Sequence, residues 1–92
     1  MFQPAVYILA NKQRGTLYVG VTSNLPLRIT QHREKQVPGF SNKYQTHILV
    51  WYEFHETMLS AITTEKRIKK WKRQWKIDMI KKINPKWEDL EI

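Results

Sequence analysis

The chain has 92 residues, which is enough for one domain over residues 1–92 with one modest hydrophobic core. Its net charge of +8 indicates a polyanionic partner, with nucleic acid as the first choice and an anionic membrane surface as the second. The absence of cysteine excludes disulfides and thiolate sites. The sequence has neither a secretory signal nor a membrane-length apolar run, so we expect a cytoplasmic protein. Of the two possible partners we predict nucleic acid and no membrane.

The first half of the chain predicts two strands and a helix. The strands are residues 5–9 and 16–21, and the polar stretch between them ends in glycine, which indicates a hairpin. The helix is predicted at residues 25–36, after several side chains that can cap it. Pro26 lies in its first turn, where proline is tolerated, and the sequence Val-Pro-Gly ends it.

The second half predicts one strand and two helices. Residues 47–54 are almost continuously apolar, which is typical of a strand covered on both faces. A helix follows at residues 57–73, and residues 74–83 continue it in line or after a bend. The last residues, 85–92, form a short helix capped by Asn84 or a tail. The order β-β-α-β-α-α indicates a small α+β domain.

Two tyrosines are predicted to share one face of the sheet. Side chains alternate along a strand, so Tyr7 lies on one face with Leu9, and Tyr18 lies with Gly20. The opposite faces of the two strands are apolar. If those faces pack against the core, the side chains of both tyrosines project together from the other face of the sheet. Gly20 lacks a side chain beside Tyr18, which permits close approach of a ligand or of another backbone. Cross-strand packing is the alternative role of each tyrosine.

Two helices carry candidate polar residues. Arg28 and His32 are four residues apart and lie on one helix face, which is either functional or simply solvated. Glu65 shares its face with Ala61 and Ile68, which should point to the core. A carboxylate there is costly to bury unless a basic side chain or a metal ion meets it. A structural ion pair with Arg28 is the alternative role of Glu65.

The order of these residues along the chain resembles the GIY-YIG endonuclease family. The two triads that name the family correspond to residues 5–7 (Ala-Val-Tyr) and 18–20 (Tyr-Val-Gly), and Arg28, His32 and a helical Glu65 follow them. The similarity looks closest to the small stand-alone bacterial members. Ala in place of the first glycine is a mild departure.

The resemblance, which covers about residues 4–85, implies both a fold and an activity. The fold is a three-stranded antiparallel sheet flanked by helices, in the order β-β-α-β-α-α. The activity is endonuclease cleavage of DNA, with RNA not excluded, by one Mg²⁺ or Mn²⁺ ion, and branched, nicked or single-stranded structures are candidate substrates. The alternative is a nucleic-acid-binding domain that keeps the fold and does not cut.

The resemblance also implies a role for each site residue. Glu65 binds the metal ion, Arg28 binds the scissile phosphate, and Tyr7 helps to orient water or phosphate. Tyr18 is the first choice for the base that activates water, and His32 is then a contact to phosphate or water. Independently of the resemblance, His32 is the alternative base, because imidazole titrates near neutral pH. Val21 follows Gly20 where some relatives have a lysine, so any role of that lysine must be met elsewhere or is absent.

The chemistry requires these residue types independently of the family. Hydroxide attack on a phosphodiester needs neutralisation of the charge that builds up, and Mg²⁺ supplies it when bound by one carboxylate, waters and phosphate oxygens. An arginine fork fits phosphate oxygens. Tyrosine, with an ordinary pKa of about 10, requires nearby cations to act as a base near neutral pH.

The remaining cations are predicted to bind the substrate. Trp71 and Trp75 lie one turn apart among them and are interpreted as core residues, with substrate contact as the alternative. The predicted nucleic-acid-binding residues are Lys43, Tyr44, Lys66, Arg67, Lys69, Lys70 and Arg73.

Overall fold

A computed structural model describes residues 3–34 and 45–92 of the chain. These residues form three strands and three helices, and their order confirms the predicted α+β class. The strands are β1 (Ala5–Ala10), β2 (Leu17–Thr22) and β3 (Ile48–Phe54), and the helices are α1 (Leu25–Arg33), α2 (Met58–Lys69) and α3 (Arg73–Ile83).

The strands form one antiparallel sheet in the order β2-β1-β3, so β1 is central and β2 is an edge strand. The β1–β2 register places Tyr7 opposite Gly20. In the β1–β3 pairing Ile8 faces Trp51 and Leu9 faces Leu49, which leaves Val50 as the extra residue of a bulge. A bulge breaks the alternation of side chains, and accordingly Val50 and Trp51 are buried in the same apolar cluster.

Both faces of the sheet are covered, and each has its own apolar cluster. Ile8 packs on one face in a cluster with Ala61 and Ile68 of α2. Tyr7 and Ile29 of α1 belong to the cluster on the other face. Every residue of β1 is consequently buried. Tyr7 and Tyr18 do share a face as predicted, but the expectation that both emerge from the sheet was wrong for Tyr7, because α1 covers it.

The helix boundaries differ from the predicted ones. The first helix ends at Arg33, three residues early, with Glu34 as its C-cap. The predicted helix of residues 57–73 ends at Lys69, and an extended Lys72 precedes α3. This break allows residues of both helices to enter one cluster. In the two described ranges, none of the helices combines the length and the apolarity that crossing a bilayer requires.

Residues 85–92 form a tail, and the alternative of a short helix was wrong. Trp87 has a φ of 56°, in the left-handed region, which a continuing right-handed helix cannot contain. The side chain of Asn84 does cap this turn, since its Oδ1 accepts from the Glu88 amide at 2.9 Å. Further on, Asp89 pairs with Arg33 at 2.8 Å and accepts from the Leu49 amide at 2.9 Å. The tail thus ties α1 to β3.

Candidate active site

Gly20 makes room for the phenol of Tyr7. The two residues are opposite each other on neighbouring strands, and a Cβ added to Gly20 would lie 2.4 Å from both Cζ and the hydroxyl oxygen of Tyr7. The sequence suggested that a ligand or another backbone approaches this glycine. The structure shows instead that a side chain of the site itself fills the space, so Gly20 determines where the Tyr7 phenol lies.

Replacing Gly20 with alanine is therefore expected to destabilise the protein by about 1–3 kcal/mol, the usual cost of overpacking a core. Urea denaturation would measure this cost. The matched comparison is the same substitution in a Tyr7→Ala background, where the clashing ring is absent. The added cost of Gly20→Ala should be much smaller there, and additive costs in the double variant would contradict the contact.

Three predicted site residues from three different elements form one aromatic cluster. The hydroxyl of Tyr7 and Nε2 of His32 are 3.1 Å apart and share a hydrogen bond. The ring centroid of Tyr18 lies 5.2 Å from that of His32 and 6.3 Å from that of Tyr7. Because β1, β2 and α1 each contribute one of these rings, the cluster fixes the strands and the helix relative to one another.

The protonation states in this cluster follow from burial and from Arg28. Burial raises the pKa of Tyr7 well above its usual range, Tyr18 raises it further, and the guanidinium of Arg28 lowers it. Burial, with smaller contributions from the nearby Arg28 and His47, lowers the pKa of His32 to about 4. At neutral pH Tyr7 therefore keeps its proton and His32 is uncharged, which leaves Arg28 as the permanent charge beside them.

The low pKa of His32 predicts a loss of stability in mild acid. Between pH 6.5, the ordinary pKa, and about 4, the unfolded chain binds a proton that the folded protein excludes. Unfolding free energy should therefore fall as the pH decreases through this window, by at most about 1.4 kcal/mol per pH unit from this group. Denaturation curves at several pH values would measure the slope, and His32→Gln should flatten it. An equal slope in that variant would contradict the assignment.

Glu65 lies on α2, which packs on the face of the sheet opposite to Tyr7. As predicted, it shares the buried side of the helix with Ala61 and Ile68. Its carboxylate is met by a cation of its own helix, since Oε2 lies 2.8 Å from Nζ of Lys69. The i,i+4 spacing of this pair is visible in the sequence, and the partner of Glu65 in the structure is Lys69 where Arg28 was the expected alternative.

A cavity of about 290 Å³ at the outer edge of β2 is lined by both Lys69 and Tyr18. An edge strand can be reached from both faces of its sheet, so a side chain from α2 and a tyrosine from the opposite face can line one space. Through Lys69, the carboxylate of Glu65 is linked to this cavity. The lining residues are Leu17, Tyr18, Val19, Lys69 and Lys76.

Lys76 was not predicted as a member of the site. It lines the cavity with Tyr18, and burial, followed by the charge of Arg73, lowers its pKa. No sequence pattern indicates this position, because it depends on the turn between α2 and α3. Lys69 and Lys76 nevertheless line a cavity with Tyr18 in a chain that has Val21 where some relatives have a lysine.

The donor set fits a metal ion that the substrate helps to hold. Within residues 3–34 and 45–92, no group of three His, Cys, Asp or Glu side chains is arranged to bind a metal ion. One carboxylate with waters and phosphate oxygens is, however, a usual environment for Mg²⁺. The side chain of Glu65 is 11% exposed and that of Lys69 is 53% exposed, so the ammonium can leave the carboxylate for solvent or for a phosphate.

The predicted nucleic-acid-binding residues differ in what the structure says of them. Lys66, Arg67 and Lys70 are exposed. Arg73 is also exposed, but its Nη2 donates to the carbonyl oxygens of residues 14 and 15 at 2.6 Å each, which attaches α3 to the β1–β2 loop. Lys43 and Tyr44 lie outside the described residues. Contact of any of these side chains with nucleic acid stays a prediction.

Comparisons with known proteins agree with the resemblance predicted from the sequence. The family described as the GIY-YIG catalytic domain matches residues 3–78. A UPF0213 protein of Staphylococcus haemolyticus (strain JCSC1435) is 32% identical over 75 residues, which are 82% of this chain and 90% of that protein. No solved structure matches the chain. The matched segment contains all five predicted catalytic residues.

Proposed function

The chain belongs to the GIY-YIG family of nuclease domains, and on this basis we propose that it is a metal-dependent endonuclease that hydrolyses phosphodiester bonds in DNA. The observation that carries the proposal is the cavity at the edge of β2. There Tyr18 and Lys69 line one cavity, and the ammonium of Lys69 holds the carboxylate of Glu65. A tyrosine and two lysines at one cavity, with an acid joined to it through Lys69, are groups that phosphodiester hydrolysis can use.

In this proposal Arg28 binds the scissile phosphate. Its guanidinium is permanently charged and offers a planar fork of donors that matches two phosphate oxygens. Arg28 is only partly buried. Its charge lowers the pKa of both Tyr7 and His32, so it lies near the aromatic cluster. A phosphate bound there would lie beside Tyr18, whose ring contacts His32.

Tyr18 is the residue proposed to accept the proton of the attacking water. The water oxygen forms its bond to phosphorus, and the bond from phosphorus to the leaving oxygen breaks. The water proton moves to the oxygen of Tyr18 in its phenolate form, and the leaving oxygen takes a proton from solvent. His32 is less suited to this role, because it is 2% exposed and its Nε2 is already hydrogen-bonded to Tyr7. We infer that Tyr7 and His32 position Tyr18, which lines the open cavity.

Glu65 is the residue proposed to hold the metal ion. When bound, Mg²⁺ or Mn²⁺ neutralises negative charge that develops on the phosphate. Lys69 pairs with one oxygen of this carboxylate, so a bound cation would compete with its ammonium for the acid. Lys69 and Lys76 both line the cavity, where either would be available to contact a phosphate oxygen.

The test is incubation of the purified protein with labelled duplex, single-stranded and branched DNA in Mg²⁺, Mn²⁺ or EDTA. We expect cleavage of at least one of these substrates with either metal and none with EDTA, because a single carboxylate must recruit its ion from solution. Cleavage that continues undiminished in EDTA would contradict the metal requirement. Binding of all three substrates without cleavage would contradict the nuclease.

The second candidate function is nucleic-acid binding without cleavage. The observation that favours it is the Glu65–Lys69 pair, since a carboxylate and an ammonium 2.8 Å apart also make an ordinary structural ion pair. A domain of this kind would use the same basic residues to bind phosphates. The substrate panel separates the two functions, because only the nuclease produces cleaved DNA.

A further inference from the structure

Trp75 is an exposed aromatic residue, although the sequence suggested that it belongs to the core. Its neighbour Trp71 is partly buried against the apolar cluster that contains Ile8 and Ile68, whereas 54% of Trp75 is exposed. The two rings pack edge to face, with centroids 6.3 Å apart and planes at 75°. The partly buried ring therefore supports the exposed one, and the protein presents a tryptophan face to solvent without gaining core packing from it.

A groove of about 470 Å³ lies beside this aromatic pair. Its volume is within the range of sites that bind small molecules, roughly 300–1,000 Å³. It has one acid, Asp78, whose Oδ1 accepts a hydrogen bond from the side chain of Gln74 at 2.9 Å. The groove is lined by Trp71, Trp75, Asp78, Met79 and Lys82.

The charges around the groove favour one kind of occupant. Lysine and arginine side chains crowd α2, α3 and the turn between them, which makes the surroundings attractive to a phosphate backbone. The groove itself combines apolar walls with a carboxylate, which repels phosphate and can accept a hydrogen bond from a base amino group. Lys82 lines the groove, and the other exposed cations of these two helices and the turn include Lys66, Arg67, Lys70, Lys72 and Lys81.

We propose that this groove binds an unpaired base of a single-stranded DNA segment, which stacks on Trp75 while its phosphates contact Lys82 and other exposed cations of α2 and α3. The inference rests on the proposed function and adds a substrate class to it, namely DNA with a single-stranded region. A base inside a duplex is stacked on its neighbours and does not offer its face, so the groove distinguishes single-stranded from duplex DNA.

The experiment measures binding by fluorescence anisotropy in EDTA, with a labelled oligodeoxycytidylate, whose bases carry an amino group, and a blunt duplex of equal length as probes. Trp75→Ala should weaken binding of the single strand about tenfold, the expected loss of one base stack, and leave duplex binding unchanged. Trp75→Phe, which keeps an aromatic face, should recover most of the lost affinity. Thermal denaturation of both variants verifies that they fold.

Several results would overturn the inference. They are unchanged single-strand binding by Trp75→Ala, an equal loss for both probes, and a phenylalanine variant no better than the alanine variant. A change in self-association by ultracentrifugation, with unchanged DNA binding, would instead assign the groove to a second copy of the chain. Binding in EDTA needs no catalysis, so this experiment is independent of the cleavage test. A wild-type protein that never cuts DNA would refute the proposed nuclease, and the binding of a base by the groove could still be measured.

Discussion

Glu65→Gln is expected to reduce the DNA cleavage rate by about a thousandfold or more. The substitution keeps the size of the side chain and removes the negative charge that we propose holds the metal ion. Loss of several kcal/mol of transition-state stabilisation corresponds to a rate decrease of this order. Single-turnover cleavage of the best substrate, at saturating Mg²⁺, is the appropriate measurement, because it separates chemistry from product release.

Glu56→Gln is the matched control for this experiment. It removes the same charge from an exposed residue that precedes α2 and lies outside the proposed site. Its cleavage rate should equal that of the wild type. Thermal denaturation should show that Glu65→Gln folds, since an exposed lysine loses its partner and no large side chain is removed from the core. A Glu65→Gln protein that folds and cleaves at the wild-type rate would exclude this residue as the metal ligand.

Tyr18→Phe is expected to lower the cleavage rate by roughly 10²–10⁴-fold, the usual contribution of a general base. The variant retains the ring that contacts His32 and loses only the oxygen proposed to accept the proton. It should also lose the part of the pH–rate profile that reports ionisation of the base. Rates measured across the pH range for both proteins test these two expectations together.

Tyr52→Phe provides the comparison, because Tyr52 is a partly buried tyrosine packed against the same apolar cluster as Tyr18. Removing its hydroxyl should leave both the rate and the pH profile unchanged. If Tyr18→Phe retains the wild-type profile while His32→Gln alters it, the base is His32. That result would revise the mechanism, although the fold and the family would stand.

Local sequence patterns predicted most of the fold and the grouping of the aromatic residues. Alternation along the strands placed Tyr7 and Tyr18 on one face, and the spacing of Arg28 and His32 placed them on one side of α1. The structure brings these residues together, with the Tyr7–His32 hydrogen bond as the direct contact. Such patterns succeed because they depend only on the geometry of one element or of one hairpin.

Features that depend on contacts between distant segments were not predictable. The burial of Tyr7 requires α1 to cover the second face of the sheet, and the tail docks through Asp89 and Leu49, which are 40 residues apart. The Tyr7 ring lies against Gly20 because the hairpin register places the two residues opposite each other. Lys76 reaches the Tyr18 cavity only because the chain turns between α2 and α3.

The most direct test of the account is NMR with Mn²⁺, whose unpaired electrons broaden the signals of nearby nuclei. If Glu65 holds a divalent ion at the edge of β2, low Mn²⁺ concentrations should broaden the signals of Glu65, Lys69 and Tyr18 in the wild type. The same signals should remain sharp in Glu65→Gln. Equal broadening in the two proteins, or broadening confined to other regions of the chain, would contradict a metal site at this carboxylate.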